Sequence, residues 1–460
     1  MIAVRSLGAL RTRVCLAGCR GMVIAAAIAF APVAALAAGP VPAPIADGPS
    51  KVRIVESDGG YRLLVNGSPF RVKGAGMDGG NQDALVAHGA NSFRTWSTDG
   101  DPEGGRSMLD RALANGLFVA LGIRMGVERN GFDYGDPKAV AAQFARIKSE
   151  VLQYKDHPAL LMWVAGNELN LESHNPKVWN AVNQIAEMIH QVDPNHPVMT
   201  TLAGLNAGLI GDLKSRAPAL DLIGIQLYGD IVKLPEYLRV SGWNGPYIVT
   251  EWGPTGHWEI AKTSWGAPIE DDSTKKADLY RERYQRYIAA DERQCLGSYV
   301  FLWGNKQERT PTWYGLFLAS GEETPAVDAM HYVWKGSWPE NRSPAITPVR
   351  IDSRSADQSI TVVADSFHDA SVQAMDSDQD PLDFRWLVME ESGAKTIGGD
   401  REDVPRVIES SITNDGKGKI RFKAPSKAGA YRLFVYVHDG KGHAAHSNIP
   451  FRVEAAERVQ

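Results

Sequence analysis

Between residues 70 and 304, short apolar runs alternate with stretches of helical periodicity, eight times in succession. The strand-like runs cover 70–76, 91–96, 117–125, 160–168, 197–203, 221–228, 246–252 and 295–304. Among the stretches between them, Val140, Phe144, Ile147 and Val151 recur at helical spacing, as do Trp179, Val182, Ile185 and Ile189. Asn115-Gly116 is a helix stop ahead of the third run. Eight such units in about 235 residues predict a (β/α)8 barrel, a fold that takes about 250. An open doubly wound sheet is the runner-up. No glycine-rich phosphate loop follows the first run, which counts against its nucleotide-binding form.

The flanking segments read differently. Arg5, Arg11, Arg13 and Arg20 precede an apolar run from Met22 to Leu36, and Ala35-Leu36-Ala37 supplies an A-x-A cleavage site. Residues 1–37 are therefore expected to be an export signal, with cleavage before Ala38 and a secreted or periplasmic product. Pro32 and the shortness of the run argue against a membrane anchor. Residues 38–50 read as a Pro-rich spacer. Residues 51–70 read as a hairpin with turns at Asp58-Gly59-Gly60 and Asn66-Gly67, closing the bottom of the barrel domain at 51–340. Beyond it, residues 345–456 carry short alternating runs between Asp/Gly/Asn turns, the pattern of a small all-β, immunoglobulin-like sandwich. Cys15 and Cys19 lie in the signal, so the mature chain keeps only Cys295, expected to be a buried apolar residue.

Two strand ends carry the chemistry. WVAGNELN ends its run at Glu168, and IVTEWGPTG ends its run at Glu251. A carboxylate emerging from so apolar a run needs a partner or a raised pKa. Two opposed carboxylates are what glycosidic bond cleavage requires, one as proton donor and one as nucleophile or base. An arginine such as Arg94 alongside would favour the charged form of Glu251 that a nucleophile needs. Other polar and aromatic residues, Trp96, Asn167, Tyr228, Trp252 and Trp303, collect at strand ends as well. In such barrels that end builds the active site. A net charge of −5 disfavours nucleic acid or anionic membrane as the partner, and it suits a neutral carbohydrate.

The stretch from Phe70 to Gly304 resembles the clan A glycoside hydrolases, most closely the catalytic barrel of glycoside hydrolase family 2, on Asn167-Glu168 and on the Thr-Glu-Trp-Gly string containing Glu251. The resemblance implies that Glu168 is the acid/base and Glu251 the nucleophile of a retaining double displacement. It implies substrate-binding roles for Arg94 and Tyr228, and for Trp303 as a platform under the sugar. The expected activity is that of a retaining β-glycoside hydrolase acting on an oligo- or polysaccharide. A transglycosylase using the same glutamates is the alternative, and a non-catalytic carbohydrate-binding protein ranks below both.

Trp258, Trp265 and Trp313 fall in loops after the seventh and eighth strands, where they either stack on sugars or pack between domains. His174 and His257 are further candidates for the cleft. No cofactor is expected and no metal. DSDQDPLDFRW at 376–386 with YRLFVYVHDGKG at 431–442 resembles a cadherin-like or PKD-like domain, in which a Ca²⁺ site at Asp376, Asp378 and Asp380 is conceivable. These residues lack the glycine and terminal glutamate of an EF-hand loop, and an acidic turn without metal is the preferred reading.

Overall fold

The computed structural model describes residues 48–455, so the expected signal and all but the last three residues of the spacer lie outside the described residues. The end of the spacer is not loose: Ser50 is buried and shares a 2.9 Å hydrogen bond with His196 Nε2. The first sheet joins β1 (Val52–Ser57), β2 (Gly60–Val65) and β3 (Ser68–Phe70). Its two-residue turns are Asp58-Gly59, at φ 51° and 72°, and Asn66-Gly67, at φ 51° and 82°. Paired positive φ values are what a tight hairpin of right-handed twist demands, and Asn, Asp and Gly tolerate them best. The sheet lays Val52, Leu63, Val65 and Phe70 against Phe118, Leu161, Met199 and Leu296 of the barrel.

Eight parallel strands then close on themselves: β4 (Val72–Gly76), β5 (Ser92–Arg94), β6 (Phe118–Ile123), β7 (Leu160–Asn167), β8 (Val198–Ala203), β9 (Leu222–Gln226), β10 (Tyr247–Glu251) and β11 (Cys295–Val300). All eight coincide with the runs expected from sequence. Nearly every strand residue is buried, because helices cover one face and the packed interior the other. The covering helices are α1 (Gln82–Ala87), α2 (Gly105–Ala114), α3 (Pro137–Tyr154), α4 (Lys177–Val192), α5 (Ala207–Arg216), α6 (Leu234–Ser241), α7 (Ser273–Arg283) and α8 (Pro325–Lys335). Local signals fix their ends. Asp136 caps α3 by accepting from Lys138 N with Pro137 at the first position, and α2 stops at Asn115-Gly116, where Gly116 has φ 70°. Val178, Trp179, Val182, Ile185 and Ile189 form the buried stripe of α4.

After the barrel come further all-β sheets. A four-stranded sheet (Arg350–Ile351, Phe367–Ser371, Lys419–Lys423, Ile412–Asn414) faces a five-stranded one that includes Asp383–Glu390, Gly429–His438 and Ala444–Glu454. Ile420 and Phe422 of the first pack with Val388, Val435 and Phe451 of the second in one apolar core. This core is joined to the barrel through buried polar groups. Glu270 accepts from Lys276 Nζ, from the hydroxyls of Thr310 and Thr312 and from Asn448 Nδ2, while Arg432 donates to Pro268 O at 2.8 Å. Cys295 is buried as expected, its thiol pushed up to about 11 by burial. Among the described residues no helix is long and apolar enough to cross a membrane.

Candidate active site

Arg94, Asn167, Gln226 and Glu251 are the last residues of β5, β7, β9 and β10, so one end of the barrel gathers all four. They form one network. Glu251 Oε1 accepts from Arg94 Nη1 at 3.1 Å, Trp96 Nε1 at 2.9 Å and Gln226 Nε2 at 2.9 Å. Its Oε2 accepts only from the Tyr228 hydroxyl, at 3.1 Å, among described side chains. Asn167 Oδ1 takes Arg94 Nη2 at 2.7 Å, Gln226 Nε2 at 2.9 Å and Thr201 Oγ1 at 3.1 Å, which leaves its Nδ2 for a ligand. Gly76 makes room for the Trp96 indole, since a Cβ there would lie 2.9 Å from the ring.

Glu168 faces the same cavity of about 400 Å³. A strand turns successive side chains to opposite faces, yet Asn167 and Glu168 both line this space. Gly166 at φ 78° and Glu168 at φ 48°, with a register shift between β7 and β8, break the alternation. For a non-glycine residue that backbone costs of order 1–3 kcal/mol, strain of the kind found at functional sites. Burial, and then the charge of Glu251, push the Glu168 carboxyl up to about 8. Burial and the same charge raise the Tyr228 hydroxyl well above its ordinary value, so it remains a donor. The site thus sets Glu251, ringed by four donors, beside a Glu168 carboxyl pushed up to about 8, in one cavity.

Two residues expected at the site stand elsewhere. Trp252 follows Glu251, so strand alternation turns it outward; it is buried against Tyr280 and Tyr284. Trp303 lies beyond the end of β11, where its backbone N donates to Gly76 O at 2.9 Å; its ring packs on His88, Phe317 and Trp334 and is not a platform in the cavity. Phe301 takes the apolar position there, edge-on to Trp96 and Tyr228. Trp258 lines the cleft at 54% exposure, whereas Trp313 is buried in packing and Trp265 lies outside it. His174 is exposed away from the cavity, and His257 stands 3.5 Å from Glu308.

Several residues of the site were not anticipated. Gln226 had a signal, a lone polar side chain closing the run LIGIQ. Asp78, Lys306 and Glu308 come from loops without pattern, and Gly398 and Gly399 come from the sandwich. Burial alone would raise Glu308, but His257 and Lys306 together hold it below its ordinary value. Outside the cleft lining, Asp376, Asp380 and Asp439 bring one oxygen each within 4.8 Å of one another, with Lys441 paired to Asp380 at 2.7 Å. Asp439 was not part of the expected acidic turn, and Asp378 instead accepts from Arg342 N at 2.8 Å.

Residues 105–253 match the family described as "Glycosyl hydrolases family 2, TIM barrel domain". Among similar solved structures is a beta-glucuronidase from Bacteroides uniformis, with TM-score 0.47 and 14% identity over 88% of this chain and 48% of that one. A Bifidobacterium dentium beta-glucuronidase complexed with coumarin-3-O-glucuronide gives 0.49 and 18%, over 62% of this chain and 49% of that one. A glycoside hydrolase family 5 mannosidase from Rhizomucor miehei gives 0.39 and 14%, over 58% and 90%. The chain spans about half the length of the two beta-glucuronidases.

Proposed function

We propose that this chain is a retaining β-glycoside hydrolase working by double displacement. The observation that carries the reading is the unequal treatment of two carboxyls in one cavity. Four donors converge on Glu251, while Glu168 is pushed up to about 8. In the first step Glu251 Oε2 bonds to the anomeric carbon. The carbon–oxygen bond breaks with its electron pair going to the leaving oxygen, which takes the Glu168 proton. Glu168 then removes a proton from water, which attacks the anomeric carbon and frees Glu251. Arg94, Trp96, Gln226 and Tyr228 hold the nucleophile. Asn167 Nδ2 and Asp78 meet sugar hydroxyls, and Phe301 offers the sugar an apolar face. The match of residues 105–253 to a glycosyl hydrolase barrel supports the same reaction class.

The test is a panel of β-linked glycosides followed by NMR of the first product formed. The expected product is the β-anomer; an α-anomer would mean that water attacks directly and would remove the nucleophile role from Glu251. Export belongs to the same reading, on the basic and apolar N-terminal pattern, and N-terminal sequencing of protein from its native host should begin at Ala38.

A further inference from the structure

A second cavity, of about 420 Å³, adjoins the first. The two share Glu168, Tyr228, Trp258 and Gly398, but Glu251, Asp78, Trp96 and Asn167 line only the first. If Glu251 attacks the anomeric carbon, the attacked sugar occupies the first cavity. The departing oxygen must lie beside its proton donor, so the leaving group extends past Glu168 into the second. Leu171, Leu227, Trp258 and Ile397 form an apolar side of that space, and Glu172, Gln226, Asp230 and His257 also line it. The apolar side favours an apolar, planar group, which would cover the indole of Trp258.

Ile397 and Gly398 are not barrel residues. They belong to segment 391–406, which joins Asp383–Glu390 to Val407–Ile408 in the five-stranded sheet. Barrel loops hold this segment by its backbone and one buried carboxylate. Arg129 Nη2 donates to Gly398 O at 3.4 Å and Lys306 Nζ to Gly399 O at 3.0 Å. Arg309 donates its backbone N to Glu402 Oε2 at 2.7 Å and its guanidinium to Thr396 O at 3.0 Å. Gly398 sits at φ 59°, and a Cβ there would come within 2.7 Å of Leu171 and 2.8 Å of Arg129. The left-handed backbone there favours glycine, and a side chain would make the ends of Leu171 and Arg129 move aside.

We propose that segment 391–406 of the sandwich forms one wall of the leaving-group subsite, and that this subsite takes an apolar aromatic aglycone. The sandwich is then part of the cleft and helps to choose what departs. This rests on the glycosidase reading above.

The experiment compares a 4-nitrophenyl β-glycoside with the matching β-glycosyl fluoride, using the sugar selected by the panel. Fluoride is too small to reach the second cavity. Turnover of the fluoride by the wild-type protein with β-product establishes the underlying reading; its absence removes that reading and the subsite with it. Given that turnover, the ratio of kcat/KM for the aryl substrate to kcat/KM for the fluoride should fall about tenfold in Ile397→Asp, as expected from losing roughly one apolar contact surface. It should fall about threefold in Ile397→Ala, a milder change that keeps the test readable if the aspartate variant folds poorly. Ratios within twofold of wild type in Ile397→Ala and in any folded Ile397→Asp would overturn the proposal.

Discussion

Arg94 Nη1 lies 3.1 Å from Glu251 Oε1, with 0% of the arginine side chain and 7% of the glutamate side chain exposed. A pair this deeply buried is costly to halve, since removing one partner leaves the other unpaired at about 3–5 kcal/mol. Arg94 also donates to Asn167 and to Thr250 O. Arg94→Met should therefore lower both the melting temperature and activity. The expected loss in kcat/KM is about 100-fold or more, read by steady-state kinetics beside calorimetry.

Glu168 gives two pH signatures. In the proposed double displacement its proton serves departure of the leaving group, and its carboxyl is pushed up to about 8. Activity should accordingly fall as pH rises through that value. The same shift bears on stability. A carboxyl that holds its proton more tightly when folded binds more protons in the native state, so stability falls as pH rises from about 4.5 toward 8. Glu168→Gln should match wild-type stability near pH 4 and exceed it above neutrality, by an amount on the order of a few kcal/mol. Thermal unfolding at a series of pH values checks this, and a constant difference would contradict it.

Tyr228 supplies the sole described side-chain donor to Glu251 Oε2. A hydrogen bond to a charged group contributes about 1.5–3 kcal/mol. Tyr228→Phe should lower kcat/KM roughly 10- to 100-fold while leaving the fold intact, as circular dichroism would record.

The barrel–sandwich junction makes a prediction independent of catalysis. Burial alone would raise Glu270, but Lys276 first and His446 and Arg432 after it bring it down to about 2. Its contribution is present above the ordinary carboxylate value and is lost as pH falls through about 2. Lys276→Met leaves that carboxylate buried without its cation and should cost about 3–5 kcal/mol at neutral pH, measured by denaturant unfolding.

The barrel could be read from sequence because each strand is a short apolar run with a helical stripe behind it, and that alternation is local. The two glutamates were legible for a related reason: a charged residue closing an apolar run must emerge at the strand end. Trp96 and Tyr228 reach the site as expected, but two of the aromatics were misplaced. Trp252 is adjacent to Glu251 in sequence and faces the other way in space, and Trp303 stands past the strand end, where direction depends on the loop. The Asn167-Glu168 pair reaches one cavity only through a left-handed backbone at Glu168, which its residue type does not announce. Nor does any pattern in 391–406 foretell its place at the barrel mouth, because backbone carbonyls provide much of its anchorage.

Glu251 as the proposed nucleophile is open to direct covalent trapping. Incubation with activated 2-deoxy-2-fluoro β-glycosides, followed by peptide mass mapping, should find one sugar per chain, attached to Glu251. A sugar attached to Glu168 or any other residue, or turnover to an α-product with no adduct at all, would contradict it.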